Sequence, residues 1–213
     1  MQIGVFDSGK GGEFIAEGLQ KALPSYSFSV VNDREHVPYG SRSNEEIVEL
    51  TTTAIAPLLA TCPVIVIACN TATMAAIASL RRQFPNTHFI GTEPMIKPAN
   101  TESEARHITV LATPLTLSSQ RYSDLKSLYS NNLVIDEPST LHWARAIEHG
   151  QADAIELSDL SQSINNGSDA IVLACTHYLV LKNKLQRIFP GVTIYEPTNA
   201  IAAQIVRLAD RLQ

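Results

Sequence analysis

Two segments of this 213-residue chain are near copies of each other. Val64–Ala72 reads VIVIACNTA, and Ala170–Tyr178 reads AIVLACTHY. In each segment an apolar run rich in β-branched residues ends in Ala-Cys and passes directly into polar residues that include threonine. Such a run is typical of a strand buried in a parallel sheet, and it would carry a cysteine to the carboxyl end of that strand. The sequence therefore predicts two matched thiols, Cys69 and Cys175, on two matched strands.

The repetition extends well beyond these two segments. Each cysteine is followed by a helical stretch that ends in Phe-Pro, then by a strand, and then by Glu-Pro. The paired positions are Phe84-Pro85 with Phe189-Pro190 and Glu93-Pro94 with Glu196-Pro197. Because strands and helices alternate along the whole chain, the pattern predicts an α/β protein with two pseudo-symmetric parallel-sheet lobes. We expect one lobe to hold residues 1–97 and 198–213 and the other to hold residues 98–197.

The active site is expected between these lobes. Ligands of parallel α/β sheets bind outside the carboxyl ends of the strands, where Asp7, Thr113 and both cysteines are predicted to lie. The periodicity also predicts long helices over 44–59, 116–128 and 178–189. The polar stretch 100–106 is the expected crossing between the lobes.

Composition excludes several classes of function. The net charge is −5 and no dense basic run occurs, so nucleic acid is not an expected partner. No apolar run approaches the ~20 residues that span a bilayer, and no secretory signal opens the chain. Three cysteines without a CxxC pair favour a reducing cytoplasm. The six histidines lack metal-ligand spacing and the glycine turn lacks the spacing of a nucleotide loop, so we expect neither metal nor cofactor.

The two thiols suggest a specific chemistry. Both Cys69 and Cys175 are predicted at the start of a helix, which favours the thiolate form, whereas Cys62 is expected in the core. Two thiols on opposite faces of one carbon can invert it, because one removes a proton and the other delivers one. His177 can accept the proton of its neighbour Cys175. Asp7 either caps its glycine-rich turn or assists Cys69.

Six motifs resemble those of glutamate racemases, which are cofactor-independent enzymes of the aspartate/glutamate racemase superfamily. In chain order they are IGVFDSGKGG (3–12), VPYG (37–40), ACNTA (68–72), LATPLT (111–116), IEHG (147–150) and ACTHY (174–178). The resemblance runs nearly end to end, and the pairing of ACNTA with ACTHY is highly specific. Lys10, Arg34, Glu35 and His36 depart from the residues usual in the family.

The resemblance implies roles for individual residues. It implies Cys69 and Cys175 as the catalytic bases, with Asp7, His177 and Glu148 as assisting groups. It also implies a set of residues that contact the substrate, an acidic amino acid: Asp7, Ser8, Tyr39, Gly40, Asn70, Thr71, Thr113, Thr116, Thr176 and His177. The implied activity is the interconversion of L- and D-glutamate in the cytoplasm, supplying D-glutamate for peptidoglycan. We expect a homodimer.

Three alternatives to glutamate racemisation remain open from the sequence. The first is a racemase of the same superfamily that acts on aspartate or on both acids, since a pocket separates substrates differing by one methylene by only ~1 to 3 kcal/mol. The second is a catalytically idle protein that binds an acidic amino acid, although the intact thiol pair argues against it. The third is a hydrolase with a cysteine nucleophile, which would leave the second cysteine without a role.

Overall fold

The computed structural model describes residues 1–129 and 131–212, which form two compact units. Unit 1 comprises residues 1–93 and 197–213, and unit 2 comprises residues 94–196. Both boundaries fall within the two Glu-Pro pairs of the sequence repeat, Glu93-Pro94 and Glu196-Pro197. The chain thus enters and leaves unit 2 at equivalent points of the repeat.

Each unit contains one sheet of four parallel strands. In unit 1 the strands are β1 (Gln2–Asp7), β2 (Ser27–Asn32), β3 (Val64–Ile67) and β4 (His88–Gly91). In unit 2 they are β5 (His107–Leu111), β6 (Val134–Asp136), β7 (Ala170–Leu173) and β8 (Thr193–Tyr195). The strand order is β2-β1-β3-β4 in one sheet and β6-β5-β7-β8 in the other, with every pair parallel. The two orders are the same, so the predicted α/β class with two repeated parallel sheets is confirmed.

Helices flank both sheets. Those of unit 1 are α1 (Gly11–Ala22), α2 (Asn44–Ala54), α3 (Ala56–Leu59), α4 (Asn70–Gln83) and α11 (Thr198–Leu212). Those of unit 2 are α5 (Ile96–Glu102), α6 (Pro114–Ser118), α7 (Gln120–Ser127), α8 (Trp143–Glu148), α9 (Ser158–Asn165) and α10 (Lys182–Ile188). Short 3₁₀ helices cover Tyr39–Ser41, Ala152–Ala154 and Thr176–Leu181. Within the described ranges, no helix is long and apolar enough to cross a membrane.

The strands that precede the two cysteines form the centre of each core. All four residues of β3 and all four residues of β7 are buried. Such complete burial is expected for inner strands of a parallel sheet that is covered on both faces, and it explains their continuous apolar sequences. Both cysteines therefore follow rigid, well-packed elements.

The three long predicted helices are each interrupted. The first is divided into α2 and α3 at Ile55, two residues before Pro57, which lacks the N–H that an uninterrupted helix requires. The second ends at Ser119, whose hydroxyl accepts the backbone N–H of Tyr122 and starts a new helix. The third begins as the 3₁₀ helix Thr176–Leu181 before it becomes α10. Helix α5 was not predicted, and it occupies part of the stretch that was expected to be the crossing.

Candidate active site

Cys69 caps the N-terminus of α4 directly after β3. Its sulfur accepts a hydrogen bond from the backbone N–H of Ala72 at 3.4 Å and another from the hydroxyl of Ser8 at 3.3 Å. The side chain is buried, with 6% of its surface exposed. Two donors and the positive end of a 14-residue helix all favour a negative charge on this sulfur. The predicted helix-start position of Cys69 is thus present, and it suits a thiolate.

Asp7 is the last residue of β1 and is completely buried. Its Oδ1 accepts the backbone N–H of Gly9 at 2.9 Å, which is the turn-capping contact that the sequence suggested. Strand β1 lies beside β3, and Ser8, the residue that follows Asp7, donates a hydrogen bond to the Cys69 sulfur. The carboxylate therefore holds the turn that presents Ser8 to Cys69, and a direct contribution of Asp7 to catalysis stays a prediction.

Tyr39 and Gly40 lie in a loop that is braced by its own side chains. The Tyr39 hydroxyl donates to Asp33 Oδ2 at 2.7 Å, and His36 Nδ1 lies 2.8 Å from Asp33 Oδ1. Arg42 donates to the His36 carbonyl at 2.8 Å. Burial, followed by the hydrogen bond to Asp33, raises the pKa of Tyr39, so that this hydroxyl stays protonated. His36 and the charged Arg34, which binds Glu13, thus form part of the support for the loop.

Asn70 and Thr71 occupy the first turn of α4, immediately after Cys69. Both side chains are buried, each with 3% of its surface exposed. Within residues 1–129 and 131–212, the side-chain oxygen of Asn70 has no hydrogen-bond partner. Buried polar atoms without partners are uncommon, and a ligand is one ordinary way to satisfy them. This observation favours the predicted role of Asn70 in substrate binding.

In unit 2, the second cysteine heads a chain of polar groups. Cys175 follows β7, and its sulfur lies 3.6 Å from His177 Nδ1. His177 Nε2 lies 2.6 Å from Glu148 Oε1, and the side chains of His177 and Glu148 are 4% and 10% exposed. Because an ionised carboxylate can only accept, we assign the proton of a neutral His177 to Nε2. Nδ1 then carries a lone pair that can accept the thiol proton of Cys175.

Thr113 and Thr116 form a compact pair at the end of β5. Thr113 caps α6 by accepting the backbone N–H of Thr116, and the two hydroxyls lie 3.0 Å apart. Thr176 is buried at the start of the 3₁₀ helix that follows Cys175. The structure thus places all three threonines after β5 or β7, at the carboxyl ends of neighbouring strands. Their contacts with a substrate stay predictions.

Other chemically notable features lie apart from these residues. Cys62 is buried before β3, next to the hydroxyl of Thr61. A cavity of about 440 Å³ in unit 2 is lined by Trp143 and its neighbours and by none of the predicted site residues. In the part of the chain that the structure describes, no group of three or more His, Cys, Asp or Glu side chains could hold a metal ion.

Two supporting side chains of unit 2 were not among the sequence candidates. The Tyr178 hydroxyl donates to Thr140 Oγ1 at 2.9 Å, and Tyr178 is also a neighbour of Cys175. Tyr178 stands in the ACTHY motif, but Thr140 stands in no motif, so only the fold reveals the pair. Burial raises the pKa values of four tyrosines above the ordinary range: Tyr39, Tyr122, Tyr178 and Tyr195.

The sequence model of the Asp/Glu/hydantoin racemase family matches residues 13–205, which is most of the chain. The chain belongs to this family. Membership agrees with the resemblance drawn from the six motifs.

Individual members of the family are similar over nearly the whole chain. A glutamate racemase of Sulfurovum sp. is 34% identical, with 99% of this chain and 83% of the relative covered. Another from Ectopseudomonas mendocina is 36% identical over 97% of this chain and 81% of the relative. The crystal structure of Escherichia coli glutamate racemase, in complex with L-glutamate and an activator, matches with a TM-score of 0.87 and 26% identity. That match covers 98% of this chain and 82% of the other.

Proposed function

We propose that this protein is a glutamate racemase that interconverts L- and D-glutamate by proton transfer at Cα. The observation that carries the proposal is the matched pair of thiols. Cys69 follows the third strand of one sheet and Cys175 follows the third strand of another sheet of the same order. One glutamate racemase relative is 36% identical to this chain, which supports glutamate as the substrate.

The proposed reaction uses the thiols as two bases. One cysteine, as the thiolate, removes the Cα proton, and the other, as the thiol, delivers a proton to the opposite face. The product is the mirror-image amino acid, and the two cysteines exchange roles in the reverse reaction. Neither an oxidant nor a cofactor enters this balance, because one proton leaves the carbon and one proton returns to it.

The groups around each cysteine suit this use. In unit 1, Ser8 and the start of α4 stabilise the Cys69 thiolate, while Asp7 holds the turn that carries Ser8. In unit 2, His177 takes the proton of Cys175, and Glu148 stabilises the imidazolium that results.

The remaining predicted residues are proposed to bind the acidic substrate. They offer hydroxyl, amide and backbone donors, which suit the carboxylates of glutamate. They are Ser8, Tyr39, Gly40, Asn70, Thr71, Thr113, Thr116 and Thr176. We further propose that the enzyme works in the cytoplasm as a homodimer and that its D-glutamate supplies peptidoglycan synthesis.

Incubation in deuterated water tests the reaction. Each enantiomer of glutamate and aspartate is added separately, circular dichroism follows racemisation, and proton NMR follows deuterium at Cα. We expect both glutamate enantiomers to racemise with incorporation of one deuterium, and aspartate to react far more slowly. Faster turnover of aspartate would reassign the substrate, and absence of exchange with any of these acids would overturn the proposal.

Cysteine variants test the two-base mechanism. Cys69→Ala and Cys175→Ala should each abolish racemisation, because each removes the proton donor or acceptor on one face. Cys62→Ala is the matched control, since Cys62 is an equally buried thiol that precedes its strand. Racemisation at the wild-type rate by either of the first two variants would refute the mechanism.

A further inference from the structure

Three arginines converge on one cavity of unit 1. The cavity has a volume of about 290 Å³ and lies where the C-terminal half of α11 and the end of α4 meet strand β4. The described residues that line it include Arg81, Arg207 and Arg211 but none of the predicted site residues. Arg81 lies near the opposite end of the 14-residue helix α4 from Cys69, roughly 18 Å along the helix axis. The cavity is therefore separate from the candidate active site.

Two of the arginines stand together on α11. Arg207 and Arg211 are four residues apart, so their side chains lie on the same face of the helix, one turn apart. Within residues 1–129 and 131–212, neither guanidinium forms an ion pair with an acidic side chain. Like charges at this spacing destabilise an isolated helix, so the formation of α11 does not explain the pair.

Arg81 lines the same cavity from the last turn of α4. Its Nη2 donates to the backbone carbonyl of Phe89 at 2.9 Å. This contact holds the side chain against β4 and uses one of the five N–H donors of the guanidinium group. The remaining donors and the two guanidinium groups of α11 surround the same space.

Strand β4 adds a backbone donor. It is an edge strand, and the N–H of His88 donates to the carbonyl of Pro63, on the side of β3. The N–H and C=O groups of one strand residue point to the same side and alternate from residue to residue, so those of Phe89 point away from β3. The contact of the Phe89 carbonyl with Arg81 agrees with this direction. The N–H of Phe89, which also lines the cavity, is thus directed to the open edge of the sheet.

The charge of the cavity is only partly balanced by its surroundings. Arg81 and Arg211 lie in the last turns of their helices, where each helix dipole places about half a negative charge. The two helix ends together offset about one of the three guanidinium charges, so about two positive charges remain. Asp210 also lies on α11, but no acidic side chain is among the described residues that line the cavity. A group with two negative charges would complete the balance.

These features favour phosphate over other anions. A phosphate group carries up to about two negative charges near neutral pH, and its oxygens accept paired hydrogen bonds from guanidinium forks. A single carboxylate would leave one positive charge uncompensated. The volume of about 290 Å³ is at the lower end of the range for small-molecule sites, so it suits a phosphate or diphosphate group rather than an extended polymer.

We propose that this cavity binds the phosphate group of a small soluble ligand. Arg81, Arg207 and Arg211 hold the phosphate oxygens, and the backbone N–H of Phe89 donates to the same group. The site belongs to unit 1 alone and does not depend on the chemistry of the two cysteines.

Calorimetric titration of the full chain with pyrophosphate tests the site. The ionic strength is kept constant, because added salt screens interactions between exposed charges. We expect saturable binding of one pyrophosphate per chain and weaker binding of orthophosphate. Arg207→Gln and Arg211→Gln should each weaken pyrophosphate binding at least about tenfold, because each removes charged hydrogen bonds to the ligand.

Arg82→Gln is the matched control. Arg82 is the neighbour of Arg81 in the last turn of α4, and it is not among the described residues that line the cavity. The substitution makes the same change in charge, so pyrophosphate affinity should stay close to that of the wild type. Thermal unfolding is the second measurement: pyrophosphate should raise the Tm of the wild type and of Arg82→Gln, but not that of the double variant Arg207→Gln/Arg211→Gln.

Several results would overturn the proposal. They are the absence of both heat and a Tm shift at millimolar pyrophosphate, an unchanged affinity in Arg207→Gln and Arg211→Gln, and an equal loss in Arg82→Gln. Flotation with phosphatidylglycerol vesicles covers a membrane surface as the alternative, and vesicle binding without pyrophosphate binding would likewise exclude a small soluble ligand. None of these measurements needs glutamate, so they are independent of whether the chain is a racemase.

Discussion

Replacing Glu148 by glutamine tests how the histidine relay supports Cys175. The substitution keeps the shape and a hydrogen-bonding oxygen but removes the charge that lies 2.6 Å from His177 Nε2. When His177 takes the Cys175 proton, it becomes an imidazolium that faces the carboxylate. With the two charge centres about 4 Å apart and an effective dielectric constant of about 20, this attraction is worth about 4 kcal/mol.

The expected loss follows from that attraction. The amide oxygen introduced by Glu148→Gln still accepts a hydrogen bond, so we expect about 3 kcal/mol of transition-state stabilisation to disappear. This corresponds to a fall in kcat of about 10²-fold. The loss should shrink as the pH rises, because Cys175 can then release its proton to solvent instead of to His177. Circular dichroism of glutamate racemisation across pH measures both effects.

Glu137→Gln is the matched control for this substitution. Glu137 is also a partly buried carboxylate of unit 2, and it accepts from the Tyr122 hydroxyl at 2.6 Å and from Lys126 at 2.7 Å. Its loss should leave kcat close to that of the wild type. If folded Glu148→Gln keeps more than about a tenth of the wild-type kcat, or if both variants lose activity equally, the proposed relay is wrong.

Three further outcomes are expected. Gly12→Ala should destabilise the fold by about 1 to 3 kcal/mol and lower turnover, because a Cβ at this position would meet Asn32 Oδ1 and lie 2.8 Å from the Asp7 Cβ. Thermal unfolding measures the loss of stability, and the control Gly191→Ala should show none, because the space around Gly191 is open. Above about pH 10, Tyr39, Tyr122 and Tyr178 lose their protons in the unfolded chain but keep them in the folded protein. The free energy of unfolding should therefore fall with pH by up to about 1.4 kcal/mol per pH unit for each of these tyrosines. Urea titrations should find a shallower fall in Tyr122→Phe, and a slope equal to that of the wild type would contradict the raised pKa of Tyr122. Saturating glutamate should slow hydrogen exchange in residues 37–42, and mass spectrometry that finds no change there would exclude closure of this loop over the substrate.

The strands and thiols could be predicted from the sequence because each depends on local information. Fully buried strands such as β3 and β7 have continuous apolar sequences, and a cysteine directly after them is visible at once. Helix α5 was missed for the opposite reason. It is short, contains Pro98 and polar residues, and is stabilised by burial of Ile96 and Ala99 in the core of unit 2.

The supporting residues of the candidate site depend on contacts that no local pattern records. Thr140 reaches Tyr178 across 38 positions of the sequence, and Glu148 reaches His177 across 29. Glu148 could be named only because IEHG resembles a family motif, whereas Thr140 stands in no motif. The contact of Tyr39 with Asp33 is closer in sequence, but it depends on how the loop folds back.

The two cysteines occupy equivalent positions in the repeat, but different elements follow them and different groups surround them. After β3 the chain continues into a 14-residue α-helix, and a backbone N–H and a serine hydroxyl both reach the sulfur of Cys69. After β7 it continues into a six-residue 3₁₀ helix, and within the described part of the chain the Cys175 side chain makes no capping hydrogen bond to that helix. A thiol in the second setting needs a partner from elsewhere, and His177 Nδ1 lies 3.6 Å from the Cys175 sulfur. A racemase requires each thiol to serve as base in one direction, so we infer that the relay of His177 and Glu148 replaces at Cys175 what the helix supplies at Cys69.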